Sequence, residues 1–194
     1  MLDLGCSTGY LAALLSDRGY QVTGVERPGI CPSDFPHQVR LIEYDLESGL
    51  PSLHEKFDYV VCADVLEHLR DPLHVLRQAR DLLAPDGSIA ASLPNSGNLY
   101  FRLNVLAGRF PKHDRGLFDR THIHFFMWDG WVRLFADAGL EIYRVQSSAM
   151  PFSLVFSAAG VANALERISY WFARLRKTLF AYQFVLLARP LEQS

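Results

Sequence analysis

Met1-Leu2-Asp3-Leu4-Gly5-Cys6-Ser7-Thr8-Gly9 carries a short apolar strand into a turn with two glycines, and a second strand, Tyr20 to Val25, closes on a single acid, Glu26. Gly5 and Gly9 let the backbone turn tightly and approach a ligand with no Cβ in the way, while the helix starting near Tyr10 directs its free N–H groups at the same place. A carboxylate at the tip of the neighbouring parallel strand, about 20 residues on, is where two charge-assisted hydrogen bonds hold a ribose diol. These residues therefore read as a grip for a nucleoside cofactor. The spacing is G-x-x-x-G rather than the G-x-G-x-x-G of dinucleotide sites, with Ser7 where a second glycine would admit a pyrophosphate. The plainer reading of a bare glycine pair is a tight strand-to-helix turn with no ligand.

Further along, Asp45 and Asp64 each end a strand, and Glu67-His68 follows the second of them. His68 is the candidate general base, because an unperturbed imidazole titrates at about pH 6.5, and Glu67 beside it could orient or charge it. Each has a plainer reading: Asp45 starts a turn, Asp64 caps the next segment, and Glu67 and His68 cap the helix that follows. A second cluster, Asp119-Arg120-Thr121-His122-Ile123-His124-Phe125-Phe126, lies after the fifth strand. His122 and His124 point the same way on an extended backbone, where they could brace a pocket, touch a substrate or ligate a metal. Together with Asn95 and Tyr100 they are the candidate substrate residues, and no metal is assigned.

These side chains need a scaffold of alternating strands and helices. Val39 to Tyr44 and Phe57 to Ala63 read as strands; Leu73 to Leu83 has helical spacing, stops at Ala84-Pro85-Asp86-Gly87, and gives way to the strand Ser88 to Leu93. Pro28, Pro32 and Pro36 forbid a full crossover helix between the second and third strands. Asp129 to Ala138 is a helix closed by Gly139, followed by the strand Leu140 to Val145, and Tyr182 to Arg189 is the last strand. Between the last two strands an insert spans about 148–180. Its Val161, Leu165, Ile168, Phe172, Leu175 and Leu179 form one apolar stripe flanked by Arg167, Arg174, Arg176 and Lys177. The stripe reads as a lid or dimer helix packed on the domain, the alternative being peripheral membrane contact through 157–180.

Asp3-Leu4-Gly5-Cys6-Ser7-Thr8-Gly9 closely resembles the first motif of class I S-adenosylmethionine-dependent methyltransferases, with Ser7 for the usual middle glycine. Glu67-His68-Leu69-Arg70-Asp71-Pro72 resembles the E-H-x-x-D-P segment of the ubiquinone-type O-methyltransferases, and Leu83-Ala84-Pro85-Asp86-Gly87 their L-x-P-G-G turn. The resemblance covers residues 1–148 and implies an α/β, Rossmann-like doubly wound sheet of seven strands in the order 3-2-1-4-5-7-6, the last strand antiparallel. Such proteins normally carry one or two helices ahead of the first strand, so a sequence that opens on that strand is expected either to take its cover from a partner surface or to be a shortened form of a longer protein. The resemblance also implies roles. Asp3, Gly5, Cys6, Ser7 and Gly9 shape the methionine and sulfonium side of the pocket, Glu26 takes the ribose hydroxyls, and Asp45 with the backbone of Leu46 takes the adenine amino group. Asp64 lies beside the reacting centre with His68. The implied activity is methyl transfer to an oxygen, less readily a nitrogen, of a small-molecule, lipid-linked or glycan acceptor. The alternative is a catalytically silent cofactor-binding subunit.

At 194 residues, 49% hydrophobic and 21% charged, the chain suits one methyltransferase domain. A formal net charge of -2 leaves no basic surplus to replace phosphate counterions, which argues against a general nucleic-acid binder. Cys6, Cys31 and Cys62 lack C-x-x-C spacing and read as core residues in a reducing cytoplasm.

Overall fold

A computed structural model describes residues 1–152 and 159–191. Seven strands form one sheet: β1 (Leu2–Leu4), β2 (Thr23–Glu26), β3 (Arg40–Glu43), β4 (Phe57–Ala63), β5 (Leu83–Pro94), β6 (Leu140–Ser147) and β7 (Gln183–Pro190). Their order is β3-β2-β1-β4-β5-β7-β6. The first five strands run parallel, while β7 lies antiparallel to both β5 and β6. This is the Rossmann-like α/β sheet expected from the sequence.

The helices are α1 (Tyr10–Ser16), α2 (Pro72–Asp81), α3 (Leu99–Leu106), α4 (Trp128–Asp137), α5 (Ala159–Leu175) and α6 (Lys177–Phe180); α3 buries Phe101 in a separate cluster with Leu117 and Phe118. Asp71 caps α2, its side chain accepting from the His74 N–H at 2.9 Å, and Pro72 takes the first turn, where its missing N–H costs nothing. Val75, Leu76 and Ala79 then face the sheet. From α4, Trp131 and Phe135 are fully buried, and the Trp131 indole N–H donates to the Pro94 carbonyl at 3.0 Å. That bond pins the far end of β5, the strand whose carboxyl end opens toward the site.

The structure redraws two local expectations and meets a third. Ala84-Pro85-Asp86-Gly87 does not separate helix from strand; it lies within β5. Leu83 pairs with Phe57, pairing resumes at Ser88 with Tyr59, and the register shift between them absorbs the turn residues. Between β2 and β3 there is no helix, in keeping with the three prolines. The apolar stripe of α5 does not supply the buried face. Ala162 and Ala173 are buried instead, whereas Val161, Ile168, Trp171 and Leu175 are each more than half exposed. Small residues let α5 approach closely and turn its large side chains outward. Residues 157 and 158, the start of the stretch read as a membrane contact, lie outside the described residues. No helix among the described residues is long and apolar enough to cross a membrane.

Candidate functional site

At the carboxyl edge of the sheet, the Gly5 N–H donates to the Val25 carbonyl at 2.8 Å, tying the turn after β1 to the end of β2. Ser7 then adopts a left-handed conformation (φ 50), which brings its N–H within 2.8 Å of Glu26 Oε2; Glu26 Oε1 accepts from the Arg27 N–H at the same distance. A carboxylate offers roughly four acceptor positions, so Glu26 can brace the turn and still accept from a diol. Gly9 (φ 77) is required where it stands, since a Cβ there would sit 2.6 Å from Phe35. The β2–β3 loop therefore closes over the glycine turn.

Asp3 and Cys6 are both buried, yet they differ in what they offer. Asp3 Oδ2 has no hydrogen-bond partner, and burial, reinforced by Glu26, pushes the carboxyl up to about 7. An acid kept this way is costly unless a positive group meets it. The Cys6 side chain packs against Gly24 of β2. Asp45 is exposed and its Oδ1 accepts from the Glu47 N–H at 3.1 Å, capping a short 3-10 turn that begins with the buried Leu46. The turn-starting reading of Asp45 is thus realised, with its second oxygen left over.

The end of β4 builds a cavity of about 420 Å³ lined by Asp64, Glu67, His68, Asp119, His122 and Tyr182, among others. Its volume lies in the range of small-molecule sites, roughly 300–1,000 Å³. Asp64 is left-handed (φ 53), and its Oδ1 accepts from Gln183 Nε2 at 2.7 Å and from the Ser92 hydroxyl at 3.0 Å. Burial raises its carboxyl above the ordinary value, and those two bonds oppose the rise. His68 Nδ1 lies 3.1 Å from the Thr121 hydroxyl and 3.2 Å from the Thr121 carbonyl.

Glu67 and His122 approach to 3.8 Å, Oε1 to Nε2, but they form no ion pair at neutral pH. Burial pushes the Glu67 carboxyl up to about 8, with Asp64 and Asp119 adding to the rise. Burial and then His68 push the His122 imidazole down to about 4, so both groups are neutral between those values. Glu67, His68 and His122 each offer a ligand atom within 4.8 Å of the others, the one metal-compatible grouping among the described residues. At neutral pH a cation there would have to displace the Glu67 proton.

A raised acid favours the fold fully below its unfolded value, about 4.3, and that contribution is lost as pH climbs toward about 8. Glu67→Gln keeps the shape and removes the titration. The stability difference between variant and wild type should therefore grow in the variant's favour from pH 5 to pH 8, by on the order of 3 kcal/mol in urea melts. An equal difference at both pH values would mean that Glu67 is ionised in the folded chain.

Of the other sequence candidates, the structure brings Tyr100 to the edge of a neighbouring apolar cavity and leaves two elsewhere. Asn95 is fully buried, its amide donating to the Ala181 carbonyl at 2.9 Å while its oxygen accepts from the Gly97 N–H, so its polar atoms are engaged in bracing the turn after β5. His124 and His122 do share the inner face of their segment, but His124 Nε2 meets the Leu69 carbonyl at 2.9 Å and its ring stacks on Phe126. His124 braces; His122 reaches the cavity. Tyr182 and Gln183 were not foreseen, because nothing at the start of an apolar strand marks it as part of a site.

The chain has the fold of the class I S-adenosylmethionine-dependent methyltransferases. It superposes on such an enzyme from Archaeoglobus fulgidus with a TM-score of 0.64 at 19% identity, covering 96% of this chain and 84% of that one. On the magnesium protoporphyrin IX methyltransferase of Synechocystis, solved with bound SAH, the TM-score is 0.58 at 19% identity, covering 96% and 72%. The chain belongs to the methyltransferase domain family, whose pattern matches residues 1–145. Among curated relatives, the ubiquinone biosynthesis O-methyltransferase of Stutzerimonas stutzeri is 29% identical over 154 residues, covering 73% of this chain and 64% of its own length. That of Pseudomonas entomophila is 30% identical over 153 residues with the same coverage. The chain thus spans about two-thirds of the length of the curated relatives it matches.

Proposed function

We propose that this protein transfers the methyl group of S-adenosylmethionine to a hydroxyl oxygen of an acceptor with an apolar appendage. Two features fit the cofactor: Glu26 keeps acceptor capacity for a ribose diol, and Asp3 holds a buried oxygen without a partner next to the glycine turn. Asp45 and the Leu46 backbone would take the adenine edge, with Gly5, Ser7 and Gly9 supplying backbone around the amino acid moiety. When bound, S-adenosylmethionine supplies a methyl group already activated by its sulfonium. The chain's own task is then to hold the nucleophile in line and remove its proton, and orientation alone corresponds to roughly 7–11 kcal/mol of barrier. His68 is the base in this reading, and Asp64 orients the acceptor. The helical segment between β6 and β7 is an addition to a single methyltransferase domain.

The observation that carries the acceptor class is a second cavity of about 470 Å³, lined by Tyr100, Phe118, Met150 and Phe152, which shares Arg115, Gly116, Leu117, Pro151 and Tyr182 with the polar one. A hydroxyl-bearing head would sit at His68 while an apolar group fills the second compartment. This favours an oxygen acceptor of lipid-like or substituted phenolic type over a bare glycan. The test is methyl transfer from labelled S-adenosylmethionine to paired catechols with and without an alkyl chain, and to extracted glycans. The alkylated catechol should show a KM at least about ten-fold lower, about 1.4 kcal/mol of apolar contact. Equal KM values, or turnover of glycans alone, would remove the acceptor assignment.

A further inference from the structure

The geometry points to Asp119 and Thr121 as positioning residues that fix the tautomer of His68, through the relay Asp119 Oδ1, Thr121 Oγ1, His68 Nδ1. This rests on the reading of His68 as the base, which the geometry deepens. The Thr121 hydroxyl donates to Asp119 Oδ1 at 2.5 Å, and the Thr121 backbone N–H donates to the same oxygen at 2.8 Å. With its only proton spent on Asp119, the hydroxyl turns a lone pair toward His68 Nδ1 at 3.1 Å. The Thr121 carbonyl, 3.2 Å from the same nitrogen, can only accept. Both neighbours of Nδ1 are therefore acceptors, so the proton of the neutral ring resides on Nδ1 and the free lone pair on Nε2.

That assignment is what a base needs. The acceptor oxygen forms its bond to the methyl carbon as the sulfur–methyl bond breaks, its electron pair staying on sulfur; the hydroxyl proton passes to His68 Nε2. The imidazolium so formed carries a proton on each nitrogen, and its charge faces Asp119 across a single hydroxyl. The carboxylate of Asp119 is ready for this: burial pushes it up, but the two bonds from Thr121 bring it net below the ordinary carboxylate value. The opposite tautomer would set an N–H against the acceptor's own proton, and a ring without the relay would populate it. His122, edge-on to His68 with ring centroids 4.8 Å apart, keeps the ring from swinging to the other side of the cavity.

The tautomer can be read in the protein alone, with no acceptor and no turnover. In two-bond ¹H–¹⁵N spectra of labelled protein, with His68 assigned by its loss in H68Q, the wild type should show a protonated Nδ1 and a pyridine-like Nε2. Thr121→Ser keeps the hydroxyl and should preserve that pattern. Thr121→Val should shift His68 toward a mixture of tautomers and lower kcat about ten-fold at unchanged KM for S-adenosylmethionine; Asp119→Asn should do the same to a smaller degree. Melting curves establish that each variant is folded, and T121S and D119N carry the comparison should T121V fail to fold. A wild-type spectrum with the proton on Nε2, or identical His68 spectra in T121V, T121S and wild type, overturns the relay. The relay could stand while methyl transfer at His68 failed, because the spectrum reports the ring and the H68A assay reports its use.

Discussion

Glu26→Ala is expected to weaken S-adenosylmethionine binding by roughly two to four decades in Kd. A ribose diol donating two hydrogen bonds to an ionised carboxylate gains about 1.5–3 kcal/mol from each, and alanine offers neither. The same substitution orphans the Ser7 N–H, so the glycine turn loses its side-chain clasp to β2, though not the Gly5 backbone bond, as well as its ligand contact. Calorimetric titration with S-adenosylmethionine and with its demethylated product should register the loss for both, since they share the ribose. Glu26→Gln separates the two roles: its amide oxygen still accepts from Ser7 but without the charge, so it should bind between the two extremes. A Glu26→Ala protein that is folded and binds within about three-fold of wild type would remove the cofactor site from this edge of the sheet.

His68→Ala should lower kcat by about 10²–10⁴, the range of a positioned general base, and leave the Kd for S-adenosylmethionine within about two-fold. The separation follows from position. His68 follows β4 and lines the polar cavity, whereas Glu26 and the glycine turn stand at β1 and β2. His68→Gln keeps bulk and one hydrogen-bonding atom near Thr121 but cannot take up a proton, so it should be nearly as slow. Turnover of an alkylated catechol that is unchanged in both variants would mean that the acceptor reacts without help from this residue.

How much of this was legible beforehand depends on the range over which each signal acts. The place of each strand along the chain followed from the glycine turn and the apolar runs, which are local patterns, whereas the strand order and the antiparallel last strand were what the family resemblance implied. Element ends were less legible. β2 begins at Thr23 rather than Tyr20, because pairing with the short β1 starts where Leu2 meets Thr23. Ala84-Pro85-Asp86-Gly87 carries turn chemistry, but the neighbouring β4 absorbs it as a shift of register. The stripe of α5 was legible as a pattern, yet periodicity shows only that a helix has two faces, and here alanines took the inner one.

By itself the sequence determined the class of protein and one end of its candidate site. Gly5, Gly9 and Glu26 sit at the ends of adjacent strands, and the order of turn, helix and strand leaves them few other places to go. Only the tertiary structure decided the other end. Gln183 reaches Asp64 across 119 residues, and Thr121 reaches His68 across 53, through an antiparallel strand and a loop whose paths no local pattern encodes. The same packing spent Asn95 and His124 on backbone carbonyls and left His122 facing the cavity. The reason is physical: a glycine or proline constrains the chain within a few residues of itself, whereas a side chain's partners are set by which elements the core brings together.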